Sequence, residues 1–179
     1  PHPPIYRGTL SRESFEGAGK VGDNAFIAPW LSGTHPEVRS RLDHYRTTLK
    51  EHGHKTTRTT CIFFMFVNND HQEAIRDAVT TTRAYTELIT SFVPRKALNQ
   101  VPANDPMRSY LEFILSMPDD VEERAVVGTP TECRRRLTEL NDEFDLDQVA
   151  FYFHAGGRDP ERARQGLELF AKEVMPEFQ

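Results

Sequence analysis

The most constraining feature of this sequence is the uninterrupted apolar run Cys61–Val67, which lies inside the longer segment Thr59–Val67. The run is far too short to span a bilayer. Side chains on a strand alternate between two faces, so a run with no polar residue predicts a strand that is covered on both sides. Such strands are typical of parallel sheets and barrels rather than of exposed antiparallel sheets.

Strand-like and helix-like segments alternate along the chain. The predicted strands cover 5–9, 24–29, 59–67 and 148–153, and the predicted helices cover 12–21, 34–52, 70–92, 107–117, 129–144 and 159–174. Capping boxes, which mark helix starts, are predicted at Thr34 with Glu37 and at Thr129 with Glu132. The alternation predicts an α/β fold of parallel βα units with right-handed crossovers.

The length predicts a single domain over residues 1–179. Residues 94–106 are poorly patterned and contain three prolines. Together with the helix after them, they predict a loop and helix excursion over 94–120, after the third strand. The chain begins without methionine, which fits either processing or a piece of a longer protein.

Composition excludes several classes of function. The net charge of −5 and the pI near 5.8 provide no basic surface for nucleic acid. No signal peptide or membrane-spanning run is present, so we expect a soluble protein in the cytoplasm. Cys61 and Cys133 fit reduced core thiols better than a disulfide, and His52 and His54 flank a helix-ending glycine, so no metal site is predicted.

The segment Pro4–Glu16 carries the clearest indication of a ligand. An extended stretch ends at Gly8, and Ser11 lies where a helix N-cap would lie. Ser14 stands at the third helical position, where a glutamate would fold back onto the amides of the first turn. We expect a serine there to leave those amides available to a phosphate. The alternative is an ordinary serine-capped helix.

Polar side chains follow the predicted strands, and the carboxyl ends of parallel strands share one edge of a sheet. We therefore expect a common rim formed by Thr9, Ser11, Ser14, Pro29, Trp30, Asn68, Asn69, His154, Gly156 and Gly157. His154 is either an active-site residue or a hydrogen-bonded rim histidine. Arg7 lies within a strand, where its charge needs a partner or a cavity.

Several motifs resemble those of the luciferase-like flavin-dependent monooxygenases. The first is Pro-Pro-Ile-Tyr-x-x-x-x-Ser-x-Glu-Ser-Phe-Glu over Pro3–Glu16. The second is Val-Gly-Thr-Pro-x-Glu-Cys over Val127–Cys133, followed by the strand that begins Asp-Gln-Val. The third is the ending Leu-Glu-Leu-Phe-x-x-Glu-Val-Met-Pro over Leu167–Pro176. They occur in the family's order along nearly the whole chain.

The resemblance implies a TIM (β/α)8 barrel that binds reduced FMN and activates molecular oxygen. This chain looks like the C-terminal half of that barrel, strands five to eight. Ser11 and Ser14 are placed like the hydroxyls that hold the FMN phosphate, together with Arg12 and Glu13 in the same turn. Trp30 falls where the family often has an aromatic residue near the isoalloxazine. Leu10 stands where some luciferases have an acidic residue.

The resemblance also implies partners. These are a small organic substrate, O2, a flavin reductase or bound NAD(P)H or coenzyme F420 as the source of reducing equivalents, and a homodimer in the full-length form. The catalytic residues of the family lie mostly in the first half of the barrel, so none is assigned here. We expect the isolated chain to bind FMN poorly, to aggregate or dimerise, and to be inactive, because a half barrel leaves open edges.

Two other functions stay open. One is a non-catalytic relative that binds flavin without turning it over. The other is a phosphate-binding α/β barrel enzyme that uses no flavin.

Overall fold

The structure is a computed structural model that describes residues 3–54, 57–92, 102 and 106–178. The chain divides into two compact units. The first holds the residues up to Phe63 together with Thr138–Ala150, and the second holds Phe64–Leu137 and the residues from Phe151 onward. A loop and helix excursion was predicted over residues 94–120. Its residues 94–101 and 103–105 lie outside the described residues.

Parallel strands with helices between them build the first unit. Its elements are β1 (Tyr6–Thr9), α1 (Arg12–Val21), β2 (Asn24–Ile27), α2 (Pro29–Ser32), α3 (His35–Glu51), the first part of β3 (Thr59–Val67), the end of α7 (Pro130–Phe144) and the start of β5 (Gln148–Tyr152). Strand β1 pairs with β2 in parallel, and β2 pairs with β3 in parallel. The parallel arrangement predicted from the alternation is confirmed for these pairs.

One face of this sheet is covered by helices α1 and α3. Ala25 and Ile27 of β2 are fully buried, as is Phe15 of α1. The spacing of Val38, Leu42, Tyr45 and Leu49 in the sequence predicts that they share one face of α3, and this is confirmed because all four are buried. Helix α1 approaches α3 so closely that a Cβ on Gly19 would lie 2.8 Å from the Thr48 Cβ.

The second unit contains a strand that the sequence analysis did not count. Its elements are the end of β3, α4 (His71–Ser91), α5 (Pro106–Leu115), α6 (Val121–Arg124), β4 (Val126–Gly128), the start of α7, the end of β5, α8 (Pro160–Glu173) and a 3₁₀ turn (Met175–Phe178). Strand β4 pairs with β3 in parallel, with Met65 opposite Val126. The described residues therefore form five strands where four were predicted, because the three residues of β4 are too few to show a strand pattern in the sequence.

Several local predictions are confirmed. All nine residues of β3 are buried, as its lack of polar residues required. In each predicted capping box the glutamate accepts the backbone N–H of the threonine, at 2.8 Å for Thr34 and 2.7 Å for Thr129. Cys61 and Cys133 are free and buried, and burial raises the pKa of the Cys133 thiol to about 12. Within the described ranges, no helix is long and apolar enough to cross a membrane.

A buried ion pair fixes the loop between β5 and α8 inside the second unit. The Arg158 side chain is 2% exposed, and its Nη2 lies 2.6 Å from Oδ2 of Asp77 on α4. Its Nη1 donates to the carbonyls of Phe153, at 2.6 Å, and Met65, at 3.2 Å. The guanidinium carbon also lies 4.8 Å from the centre of the Phe66 ring. One side chain thus joins α4, β3 and the end of β5.

Removal of Asp77 should leave the Arg158 charge buried without its partner. We expect Asp77→Ala to lower the free energy of unfolding by about 3–5 kcal/mol, measured by urea denaturation. Glu73→Ala on the same helix is the control, because Glu73 pairs with Arg76 on the surface and should cost less than about 1 kcal/mol. The double variant D77A/R158M should recover part of the loss. Equal costs for the two single variants would contradict this prediction.

The same loop requires glycine at one position for steric reasons. Gly156 and Gly157 both have positive φ, 57° and 74°. A Cβ on Gly156 would lie 2.3 Å from the Thr81 carbonyl oxygen, whereas a Cβ on Gly157 would meet nothing within 4 Å.

We therefore expect Gly156→Ala to destabilise the protein by about 2–4 kcal/mol, from the left-handed backbone and the clash together. Gly157→Ala should cost only about 1–2 kcal/mol, from the backbone alone. Urea denaturation of both variants measures the difference. A Gly156→Ala variant no less stable than Gly157→Ala would show that the loop does not pack closely on α4.

Candidate functional site

The turn between β1 and α1 has the geometry of a capped helix start. Ser11 has an extended backbone, and its Oγ accepts a hydrogen bond from the Ser14 N–H at 3.3 Å. The prediction that Ser11 is the N-cap is therefore confirmed. Ser11, Arg12 and Glu13 are all exposed, so the first turn of α1 faces solvent.

Ser14 does more than the sequence analysis expected. Its Oγ accepts the Leu10 N–H at 2.9 Å and donates to the Ser11 carbonyl at 2.7 Å. A serine at the third position thus folds back on the chain before the cap, as a glutamate does in a capping box. The N–H that Ser14 binds belongs to Leu10, before the cap, so the expectation that Ser14 leaves the amides of the first turn available stays a prediction.

The first turn of α1 contains a carboxylate, that of Glu13. The backbone N–H of Glu13, followed by the Ser11 hydroxyl, holds the pKa of the Glu13 carboxyl below its usual value. The N–H of Arg12 has no acceptor within the part of the chain that the structure describes. The positive end of a helix dipole and unpaired N–H groups attract anions.

A cation lies beside the turn, within the same unit. Nη1 of Arg41 on α3 donates to the Leu10 carbonyl at 2.9 Å and also to the Ser32 carbonyl. Leu10 directly precedes the N-cap, and Ser32 ends the short helix that contains Trp30. Arg41 therefore links the two segments of the first unit in which the sequence analysis placed cofactor contacts.

Trp30 is more enclosed than a residue at an open rim would be. It lies in α2, between Pro29 and Leu31, and only 4% of it is exposed. This burial favours a packing role for its indole. Contact between Trp30 and an isoalloxazine ring stays a prediction.

The other polar candidates have ordinary partners. Nη2 of Arg7 donates to a carboxylate oxygen of Asp23 at 2.6 Å. The charge of Arg7 therefore has a partner, which was one of the two possibilities predicted from the sequence. Ring nitrogens of His52 and His54 lie 2.9 and 3.0 Å from backbone carbonyl oxygens of Thr48 and Lys20. His154 is exposed. No group of three or more histidine, cysteine or carboxylate side chains that could hold a metal occurs among the described residues.

Two cavities flank the Asp77–Arg158 pair in the second unit. One has a volume of about 600 Å³, and Asn68 and Asn69, which follow β3, lie in its wall. The other has a volume of about 550 Å³, and Gly156 and Gly157 lie in its wall. The predicted rim residues of this unit thus border cavities, although His154 does not line either one.

Sequence reasoning missed Arg158 and Asp77, which line both cavities. Asp77 could have indicated this ion pair, because it lies between Ala74 and Ala78, which are buried in α4. A carboxylate at such a position needs a cationic partner. Nothing local identifies that partner, which is 81 residues away along the chain. Arg158 already donates to Asp77 and to two carbonyls. Its role in these cavities is therefore to form part of the wall and not to bind a ligand.

Comparison with solved structures supports the fold. A monooxygenase from Streptomyces bottropensis is 20% identical, with a TM-score of 0.72, and the match covers 99% of this chain and 49% of that one. The oxygenating constituent of 3,6-diketocamphane monooxygenase from Pseudomonas putida, solved with FMN, is 20% identical, with a TM-score of 0.68 and coverages of 98% and 49%. The coenzyme F420-dependent tetrahydromethanopterin reductase from Methanopyrus kandleri is 16% identical, with a TM-score of 0.64 and coverages of 98% and 51%.

This chain therefore spans about half the length of these structures. No curated protein matches it in sequence. The sequence model of the luciferase-like monooxygenases, however, matches residues 1–145. The family predicted from the order of the motifs is thereby confirmed, and the chain belongs to the luciferase-like monooxygenase family.

Proposed function

We propose that this protein is an FMN-dependent monooxygenase or oxidoreductase that uses reduced flavin and O2 on a small organic substrate. The observation that carries the proposal is the exposed first turn of α1, where Ser11 is the N-cap and the Arg12 N–H has no acceptor within the described residues. Membership of the luciferase-like family supports a flavin as the ligand. The solved P. putida relative is described in complex with FMN.

The donors of this turn fit a phosphate group. The Ser11 hydroxyl and the backbone N–H groups of Arg12 and Glu13 would hold it, and the helix dipole would favour its negative charge. Ser14 would keep the turn in shape through its bonds to Leu10 and Ser11. The Glu13 carboxylate must move away, since two anions cannot share the same donors. Bound reduced FMN would supply the electrons with which O2 is activated.

Further parts of the proposal rest on the family. We propose that this chain forms the second half of a (β/α)8 barrel. The match with the S. bottropensis monooxygenase supports this, because it covers only 49% of that protein. Coenzyme F420 is an alternative cofactor, supported by the M. kandleri reductase. A flavin reductase, a homodimeric full-length form and a cytoplasmic location are proposed with them.

Two alternatives are separated by direct observation. A non-catalytic flavin-binding relative would retain FMN but would not consume O2 when reduced FMN and candidate substrates are supplied. A phosphate-binding barrel without flavin would show no change in the absorption spectrum of added FMN. Spectroscopic titration followed by oxygen consumption therefore distinguishes all three functions.

The phosphate assignment predicts the effect of removing both hydroxyls. In the full-length protein that carries this sequence, S11A/S14A should weaken FMN binding by about 10–100-fold, because the variant loses the bond from the Ser11 hydroxyl to the phosphate and the bonds by which Ser14 holds the turn. The affinity of the same variant for riboflavin, which lacks the phosphate, should fall much less. Ser40→Ala, an exposed serine on α3, is the control. Unchanged FMN affinity in the double variant, with a native circular dichroism spectrum, would refute the assignment.

Glu13 should compete with the phosphate. We expect Glu13→Gln to bind FMN about 2–5-fold more tightly, because a negative charge is removed from the helix N-terminus. Glu16→Gln makes the same change of charge one turn further along α1, where Glu16 is paired with Lys20, and should have little effect. Fluorescence titration of FMN measures both affinities. Weaker FMN binding by Glu13→Gln than by Glu16→Gln would mean that the carboxylate contributes to the site instead of competing for it.

A further inference from the structure

Arg41 has an unusual place in the first unit. Its Nη1 donates to two backbone carbonyls, those of Leu10 and Ser32. Bonds to two different segments therefore hold the guanidinium beside Leu10, the residue before the N-cap Ser11. A guanidinium that is fixed in this way loses little conformational entropy when it binds a further ligand.

The anchoring leaves donors unused. Within the described ranges, no hydrogen-bond acceptor meets Nε or Nη2 of Arg41, and no carboxylate lies within 4.0 Å of its nitrogens. Glu37 is the carboxylate on the same side of α3, but its oxygen accepts the N–H and hydroxyl of Thr34. Those two bonds, more than the charge of Arg41, lower the pKa of Glu37. Arg41 is only half-buried, so a ligand can reach it.

Other arginines of this unit are used differently. Arg7 is paired with Asp23, and Arg39 is paired with Asp43. Arg46 donates to the carbonyls of Phe144 and Asp145 and lies 3.6 Å from a carboxylate oxygen of Asp145. Arg41 differs from these three because, among the residues that the structure describes, its hydrogen bonds go to neutral carbonyls and its positive charge has no ion pair.

Gly33, which follows Ser32, has a φ of 121°, and a Cβ there would lie 2.6 Å from Oε2 of Glu37. The same Cβ would lie 3.7 Å from Nη1 of Arg41, an ordinary contact distance. The glycine therefore leaves room for the Glu37 carboxylate and does not decide the position of Arg41.

We infer that Arg41 binds the phosphate of the cofactor, with its Nε and Nη2 as donors, beside the first turn of α1. The inference rests on the proposed function and adds to it the cation of the phosphate subsite. The turn carries the charges of both Arg12 and Glu13, and Arg41 adds a positive group that two carbonyl bonds hold in place. Arginine suits this role because its planar fork can bind two phosphate oxygens at once.

The test compares ligands with and without phosphate in the full-length protein that carries this sequence. Arg41→Met should weaken FMN binding by about 10–100-fold and change riboflavin binding by less than about 2-fold. Arg41→Lys, which keeps the charge but not the fork, should give an intermediate loss of FMN affinity. Lys50→Met removes one positive charge from the exposed end of α3 and should leave both affinities unchanged.

The other possible results of these titrations each decide for or against the role of Arg41. Equal losses of FMN and riboflavin affinity in Arg41→Met would mean that Arg41 only holds the loop, and this inference would be overturned. Unchanged FMN affinity would overturn it as well, while the proposed function would survive if S11A/S14A still lost FMN. If Arg41→Met fails to fold, the ratio of FMN to riboflavin affinity in Arg41→Lys decides. A wild-type protein that binds neither flavin would overturn both the proposed function and this inference.

A second readout does not involve flavin. Inorganic phosphate should shift the backbone amide resonances of Arg12 and Glu13 in ¹H–¹⁵N spectra of the wild-type protein. The shifts should become much smaller in Arg41→Met and persist in Lys50→Met. Shifts of the same size in wild type and Arg41→Met would contradict a role for Arg41 in binding phosphate.

Discussion

Burial of the Arg158 charge is the constraint on which the second unit depends. A guanidinium that is 2% exposed is tolerated only when carboxylate and carbonyl oxygens replace the water it has lost. Asp77, Met65 and Phe153 supply those oxygens from three separate segments. The segments must therefore come together whenever the arginine is buried. The close approach of Gly156 to α4 follows from the same requirement, because the loop has to lie against the helix that holds Asp77.

Two arginines show how the same group serves two purposes. Both Arg158 and Arg41 donate to backbone carbonyls from separate segments of their own unit. Arg158 is also paired with a buried carboxylate, so its charge is balanced within the protein. Arg41 is half-buried and has no ion pair in the described residues. The balance of charge, and not the number of hydrogen bonds, separates an arginine that stabilises the fold from one that is suited to a ligand.

The features predicted from sequence are those that depend on neighbours along the chain. The buried β3, the apolar face of α3, the cap at Ser11 and both capping boxes depend on residues a few positions apart, and periodicity reveals them. The pair of Asp77 and Arg158 has no such signal, because its members are far apart in sequence. Strand β4 was missed because three residues are too few for an alternating pattern. The bond from the Leu10 N–H to Ser14 was not predicted, because a serine hydroxyl can bind any of several neighbouring backbone groups.

The carboxylate of Glu13 has a consequence for how a ligand would come and go. Ser14 keeps this turn in shape through its bonds to Leu10 and Ser11, so little reordering is needed when a ligand arrives. The negative charge of Glu13 in the same turn opposes an anionic ligand and lowers the net gain on binding. Under the proposed function, a site of this kind would favour rapid exchange of the flavin over permanent retention.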